Sequence, residues 1–221
     1  MISINNNVKY IFLRHGKLDL PYKNHSEMPI SVLIEIASGK INPSVDVDFI
    51  NEKLPKLELV FKNIDSIVVS PLKRGIETGQ IIREFIEQKR GVIVDFFIEN
   101  NLKEVSFDIE EVIKDLESIP NLSQLNNLVF EAMSGLRKGS ETSVSTFNRV
   151  KEVIKKYNSN DKTILVVTHS FLLESLEMYI NNKNVENFTN SYEELIKSPK
   201  VNYLSGFTTD KDLNIINFIS V

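Results

Sequence analysis

A chain of 221 residues with 42% hydrophobic and 25% charged residues, no Cys and no Trp has the make-up of a folded globular protein. That excludes disordered, collagen-like and disulfide-stapled classes, and the missing thiols leave Ser, Thr, His, Lys or a carboxylate for covalent chemistry. With 26 basic and 30 acidic residues the net charge is −4, without the broad basic footprint that a nucleic-acid backbone requires.

Met1 to Asn7 carry neither a basic start nor a long apolar stretch, and the first apolar run, Tyr10 to Leu13, is too short for a signal core or a bilayer span. A cytoplasmic protein without membrane contact is therefore expected. Tyr10 to Leu13 reads as a strand, Ser38 to Asp46 as a surface loop and Ser66 to Val69 as a second strand. Ile76, Gly79, Ile82 and Ile86 share one face of a helix from about Arg74 to Glu87, followed by a strand over Val92 to Phe97. Phe107 to Arg137 reads as a helical insertion on the C-terminal rim of the sheet. Val144, Phe147, Val150, Ile154 and Tyr157 predict a helix over Glu141 to Tyr157, with Ser140 and Glu141 available for capping. Thr163 to Thr168 is a strand running directly into a helix over Phe171 to Ile180, and Asn181 to Asn190 is a polar loop. Tyr203 to Thr209 and Leu213 to Ile219 flank Asp210-Lys211-Asp212 as a hairpin. Strand runs without clean alternation imply cover on both faces. The expected fold is an α/β three-layer sandwich with a mainly parallel central sheet and helices on both faces. No composition break divides it, so one domain over 1–221 is expected.

Ligands in such sheets bind beyond the carboxyl ends of the strands. Arg14-His15-Gly16 follows the first strand, Ser70-Pro71-Leu72-Lys73-Arg74 the second, Leu102-Lys103-Glu104 the third and His169-Ser170 the fourth. Each alone is ordinary: a strand-end His is commonly structural, and a loop Glu is commonly solvated. Together they form a coherent chemical set. Two guanidiniums grip phosphoryl oxygens bidentately, and an imidazole with one nitrogen pinned attacks phosphorus. A second His donates to the equatorial oxygens, and a carboxyl protonates the leaving oxygen and then activates water. Such a set needs no metal and no cofactor. Lys17 and Lys73 would widen its positive field.

Arg14-His15-Gly16 resembles the signature of the histidine phosphatase superfamily, the group that contains phosphoglycerate mutase-like phosphatases. Ser70-Pro71-Leu72-Lys73-Arg74-Gly75-Ile76-Glu77-Thr78-Gly79 is similar to its Ser-Pro-Leu-x-Arg-Ala-x-x-Thr-Ala segment, with Gly in place of both Ala. Leu102-Lys103-Glu104-Val105-Ser106-Phe107 resembles the Leu-x-Glu-x-x-Phe stretch, and Val166-Val167-Thr168-His169-Ser170 the late Val-Thr-His-Gly motif. Gly139-Ser140-Glu141 through Arg149-Val150 is similar to the Gly-Glu-Ser helix start that ends in Arg-Val. The five matches run in the family's order from about Tyr10 to Leu173.

The resemblance implies a phosphoglycerate mutase-like fold and a nucleophile, His15, that becomes phosphohistidine. It implies that Arg14 and Arg74 clamp the phosphoryl group, that His169 completes the pocket and that Glu104 is proton donor and then base. A small phosphorylated metabolite would be the substrate, hydrolysed without metal. The sequence leaves the oligomeric state open. Lys17-Leu18-Asp19-Leu20-Pro21 departs from the family's Glu-Thr continuation and lacks its following Asn, Asp108 stands for a Gly after the acid motif, and Ser170 stands for the Gly after the late His. Asp108 and Glu110 are the spare acid candidates. Ser170 either adds a hydroxyl to the site or caps the next helix. His25 is a candidate substrate contact from a rim loop, or an ordinary surface His. The alternatives are a phosphoglycerate mutase-type transferase and a non-catalytic phosphate-binding or interaction module.

Overall fold

The computed structural model describes residues 8–22, 27–37, 39–114, 121–158, 162–181, 192–193, 195–196 and 201–221. Among them β1 (Tyr10–Arg14), β2 (Ile64–Val69), β3 (Asp95–Ile98), β4 (Thr163–Thr168), β5 (Gly206–Thr209) and β6 (Ile215–Ile219) form one sheet in the order β3-β2-β4-β1-β5-β6. The β1–β4, β4–β2 and β2–β3 pairs are parallel, whereas β5 runs antiparallel to β1 and to β6. The parallel part and the closing hairpin are both as expected.

Seven helices among the described residues cover the sheet: α1 (Ile30–Ala37), α2 (Val47–Leu57), α3 (Lys73–Arg90), α4 (Ile109–Ile113), α5 (Leu122–Met133), α6 (Ser143–Tyr157) and α7 (Ser170–Asn181). Successive strand residues point to opposite faces, and both faces are apolar here. Ile11, Leu13, Ile67, Val69, Leu165 and Val167 meet α2 and α3 through Ile50, Leu54, Ile82 and Ile86. Tyr10, Phe12, Val68, Ile164 and Val166 meet α6 and α7 through Val150, Val153, Leu172 and Leu176. Each buried aliphatic side chain contributes about 1.5–3 kcal/mol, which fixes the three layers. A third cluster joins Ile109, Val112, Leu125 and Val129 of α4 and α5 to Met178 of α7 and to Ile30 and Ile34 of α1. No helix among the described residues is long and apolar enough to cross a membrane.

Three segments differ from expectation. Helices α1 and α2 lie between β1 and β2, where the sequence suggested no helix. The third strand starts at Asp95 rather than Val92, because Gly91 ends α3 in the left-handed conformation (φ 67°) and leaves Val92 and Ile93 exposed. This strand is a sheet edge, with exposed residues. Tyr203 to Ser205 form no strand either: Leu204 has a φ of 52° and sits in a turn before β5.

Candidate active site

The parallel register brings the strand ends into line. Arg14 pairs with Thr168 across β1 and β4, and Val69 with Val167 across β2 and β4. The ladder runs one residue further, since the His15 N–H donates to the Thr168 carbonyl and the Ser70 N–H to the Val167 carbonyl, both at 2.9 Å. His15 and His169 therefore stand side by side, ring centroids 5.1 Å apart and edge to face.

His15 Nδ1 donates to its neighbour's carbonyl, Gly16 O, at 2.8 Å, a partner that can only accept. The proton thus sits on Nδ1 and the lone pair on Nε2. The Gly16 N–H donates to Thr78 Oγ1 (2.9 Å), whose hydroxyl donates to the Arg74 carbonyl (2.6 Å). One buried hydroxyl ties the turn after β1 to the first turn of α3. A Cβ at Gly16 would fall 2.4 Å from Ile50 Cδ1 and 2.6 Å from its Cγ1 on α2, so any side chain there would have to displace Ile50. Thr78→Val keeps the shape but leaves the Gly16 N–H unpaired, whereas the Arg74 carbonyl keeps its place in the α3 ladder, so the change is expected to lower the unfolding free energy by about 1–3 kcal/mol. Urea denaturation reads this loss, and Thr78→Ser should restore it; an unchanged midpoint in the Val variant would refute the tie.

Arg14 and Arg74 are both buried. Arg14 Nη1 donates to the Val201 carbonyl at 2.7 Å, and its guanidinium lies 4.2 Å over the Tyr203 ring. Burial pulls both guanidiniums below their ordinary value; the charges of Tyr203, Glu104 and Glu174 oppose this at Arg14, and Glu104 and Tyr203 at Arg74. Glu104 Oε1 accepts from the Val105 N–H at 2.9 Å, and the Leu172 N–H in the first turn of α7 holds the same carboxylate. Burial nevertheless pushes Glu104 above the usual carboxylate range, overcoming those hydrogen bonds and the two arginines. His169 is held well below the usual imidazole value by burial and then by the charges of Arg74, His15 and Arg14, so it is neutral. Its Nε2 shares a 2.7 Å hydrogen bond with the Ser70 hydroxyl, which itself accepts from the Leu72 N–H, while Nδ1 is buried without a partner.

A cleft of about 570 Å³ opens on this group, lined by Arg14, His15, Arg74, Glu104 and Ser170. His169 packs against His15 but does not line the cleft, being fully buried. Ser170 is both a lining residue and the first residue of α7. The spare carboxylates lie elsewhere: Asp108 caps α4 by accepting from the Glu111 N–H, Glu110 is exposed, and neither lines the cleft. His25 lies outside the described residues. Lys17 and Lys73 are committed to Asp46 (3.0 Å) and Glu77 (3.8 Å). The Gly139–Arg149 match serves as a brace, because Arg149 grips Glu141 at 2.7 and 3.0 Å and donates to the Asn101 carbonyl in the turn that leads to Glu104.

The model of the histidine phosphatase superfamily, branch 1, matches residues 56–195, more than half of the sequence. The chain belongs to the histidine phosphatase superfamily. The stretch matched to this superfamily contains Arg74, Glu104 and His169, while Arg14 and His15 precede it. Comparison with curated proteins finds no match. Among solved structures, the Entamoeba histolytica phosphoserine phosphatase in complex with 3-phosphoglyceric acid superposes with a TM-score of 0.61 at 18% identity, covering 96% of each chain. A Bacillus anthracis phosphoglycerate mutase gives 0.58 at 18% identity, covering 97% of this chain and 94% of the other. A mycobacterial glucosyl-3-phosphoglycerate phosphatase gives 0.57 at 17%, covering 88% and 85%. At these identities the likeness establishes the shared fold.

Four cleft or site groups escape a reading by histidine phosphatase motifs: Lys103, Glu174, Tyr203 and the Val201 carbonyl. For Glu174 a signal was present, since it lies one helical turn beyond Ser170 and shares its face of α7. Tyr203 and Val201 carry none, because only the return of the chain's last segment to β1 brings them to Arg14.

Proposed function

We propose that this superfamily member is a metal-independent phosphatase that hydrolyses a small phosphomonoester through phosphohistidine on His15. The observation that carries the reading is the Nδ1-pinned imidazole of His15 at a cleft shared with two buried guanidiniums and a carboxyl of raised pKa. Arg14 and Arg74 bind the phosphoryl oxygens and supply the positive charge that a metal supplies elsewhere. His15 Nε2 gives its lone pair to phosphorus, the P–O ester bond breaks, and the leaving oxygen takes the Glu104 proton to depart as an alcohol. Water then attacks the phosphohistidine, Glu104 accepts its proton, the P–N bond breaks and inorganic phosphate leaves. In this reading neutral His169 has the role of donating its Nδ1 N–H, on the nitrogen not held by Ser70, to a phosphoryl oxygen carried by His15.

The reading is tested with p-nitrophenyl phosphate in the presence of a chelator, with quenched-flow trapping of the enzyme. Turnover is expected to continue, and the trapped enzyme to carry acid-labile, base-stable phosphate. Dependence on added metal, or a turning-over enzyme that traps no such phosphate, would overturn it.

A further inference from the structure

The geometry points to an uncharged, apolar alcohol, an alkyl chain or an aryl ring, as the leaving group, an inference that takes the reaction from the phosphatase reading and the substrate class from the cleft wall. Away from the arginines the wall includes Leu33 and Ile36 of α1, Ile41, Phe107, Leu122 of α5 and Phe171, with Asn42, Ser106, Asn126 and Asn202 as neutral polar groups among the lining residues. The six apolar residues are only half-buried, so their remaining apolar surface faces a space the protein itself does not fill. Phe107 and Phe171 meet edge to face at 5.4 Å, and Phe171 meets Phe130 at 5.8 Å, which gives this side a rigid aromatic floor. A volume of about 570 Å³ lies in the range that encloses a drug-sized molecule, more than a three-carbon ester needs.

Charge gives the second, independent observation. Among the described lining residues the cations are Arg14, Arg74 and Lys103, and the carboxylates are Glu104 and Glu174. Once the two arginines hold the phosphoryl group, exposed Lys103 is the one lining cation left for another anion, and Glu174 opposes it. Among the described lining residues, a leaving group bearing a carboxylate or a second phosphate would exchange its hydration for one exposed lysine and neutral amide and hydroxyl groups. An apolar leaving group loses nothing there and covers the six exposed faces. The same charge pattern disfavours returning the phosphoryl group to a phosphoglycerate.

The test is calorimetric binding of methyl-, butyl- and hexylphosphonate to the whole protein, run beside kcat/KM for methyl, butyl and hexyl phosphate and for 3-phosphoglycerate. Phosphonates cannot be hydrolysed and report the wall even if turnover fails. Affinity is expected to rise up to about fourfold per buried methylene. The esters should follow the same slope, with 3-phosphoglycerate below hexyl phosphate. Ile36→Asn and Leu122→Asn should each flatten the slope in folded protein. A flat or falling phosphonate series overturns the apolar class whatever the turnover, as does a preference for 3-phosphoglycerate. A rising phosphonate series with no turnover of any ester upholds the apolar site and refutes the phosphatase.

Discussion

His15→Ala is expected to reduce kcat on p-nitrophenyl phosphate by on the order of 10⁶-fold, the scale on which a covalent nucleophile is lost when its neighbours remain. The imidazole is the nucleophile of the first displacement and the leaving group of the second, so no adjacent group replaces it. Thr78, which lies nearby, is committed to Gly16 and Arg74. The fold should tolerate the change, because the side-chain bond being lost, from Nδ1 to the next residue's carbonyl, is local. Arg14 and Arg74 are untouched, so calorimetry should still detect inorganic phosphate binding. The combination separates chemistry from binding: a variant that binds phosphate and does not turn over identifies His15 as the nucleophile. Retention of more than a trace of activity with phosphate binding intact would remove that role from His15.

Glu104→Gln has the second largest expected effect, and its size should depend on the leaving group. An alkoxide leaves poorly without a proton, so the loss on alkyl phosphates is expected at roughly 10²–10⁴-fold. A nitrophenolate leaves unaided, and the same variant should lose far less on p-nitrophenyl phosphate when phosphorylation limits the rate. The pH dependence has a defined sign. Because burial raises the Glu104 pKa, its protonated form persists to higher pH than an ordinary carboxyl. The phosphorylation step on alkyl esters should therefore fall as pH rises through that raised value, and Glu104→Gln should abolish this limb. Hydrolysis of the phosphoenzyme needs the ionised form and should fall on acidification. Near-normal turnover of alkyl phosphates by the variant would transfer the acid role to Glu174, the other carboxylate lining the cleft among the described residues, and not to Asp108 or Glu110.

The parallel core was legible because β1, β2 and β4 are apolar on both faces, which short β-branched runs record directly. The residues after those strands were legible for the same reason: once the strand is located, its next residue is at the sheet edge. Helices α1 and α2 were not. Ile30-Ser31-Val32-Leu33-Ile34-Glu35-Ile36 is rich in β-branched residues with weak helix propensity, and Ile30 and Ile34 gain their helical face from packing beside α4 and α5. In α2, Pro55 reads as a helix breaker, yet Asp46 caps the other end and Ile50, Leu54 and Leu57 bury one face. Val92 to Phe97 has the apolar run of a doubly covered strand, whereas β3 is an edge with exposed residues. Glu104 could be picked out by motif, but its separation from Asp108 and Glu110 required three dimensions: α4 turns those two outward. The aromatic support of Arg14 had no local pattern at all.

That support bears on how the protein is made. Arg14 and Val201 are 187 positions apart, and β5, which closes the β1 edge, follows the whole parallel part of the sheet in sequence. Closing so long a loop is entropically costly and slow relative to local pairing. Until it happens, a nascent chain can hold all five motif residues, yet it exposes an unpaired strand edge and leaves the first arginine without its carbonyl and its ring. The setting of the Arg14 guanidinium is thereby coupled to the closing of the β1 edge by β5.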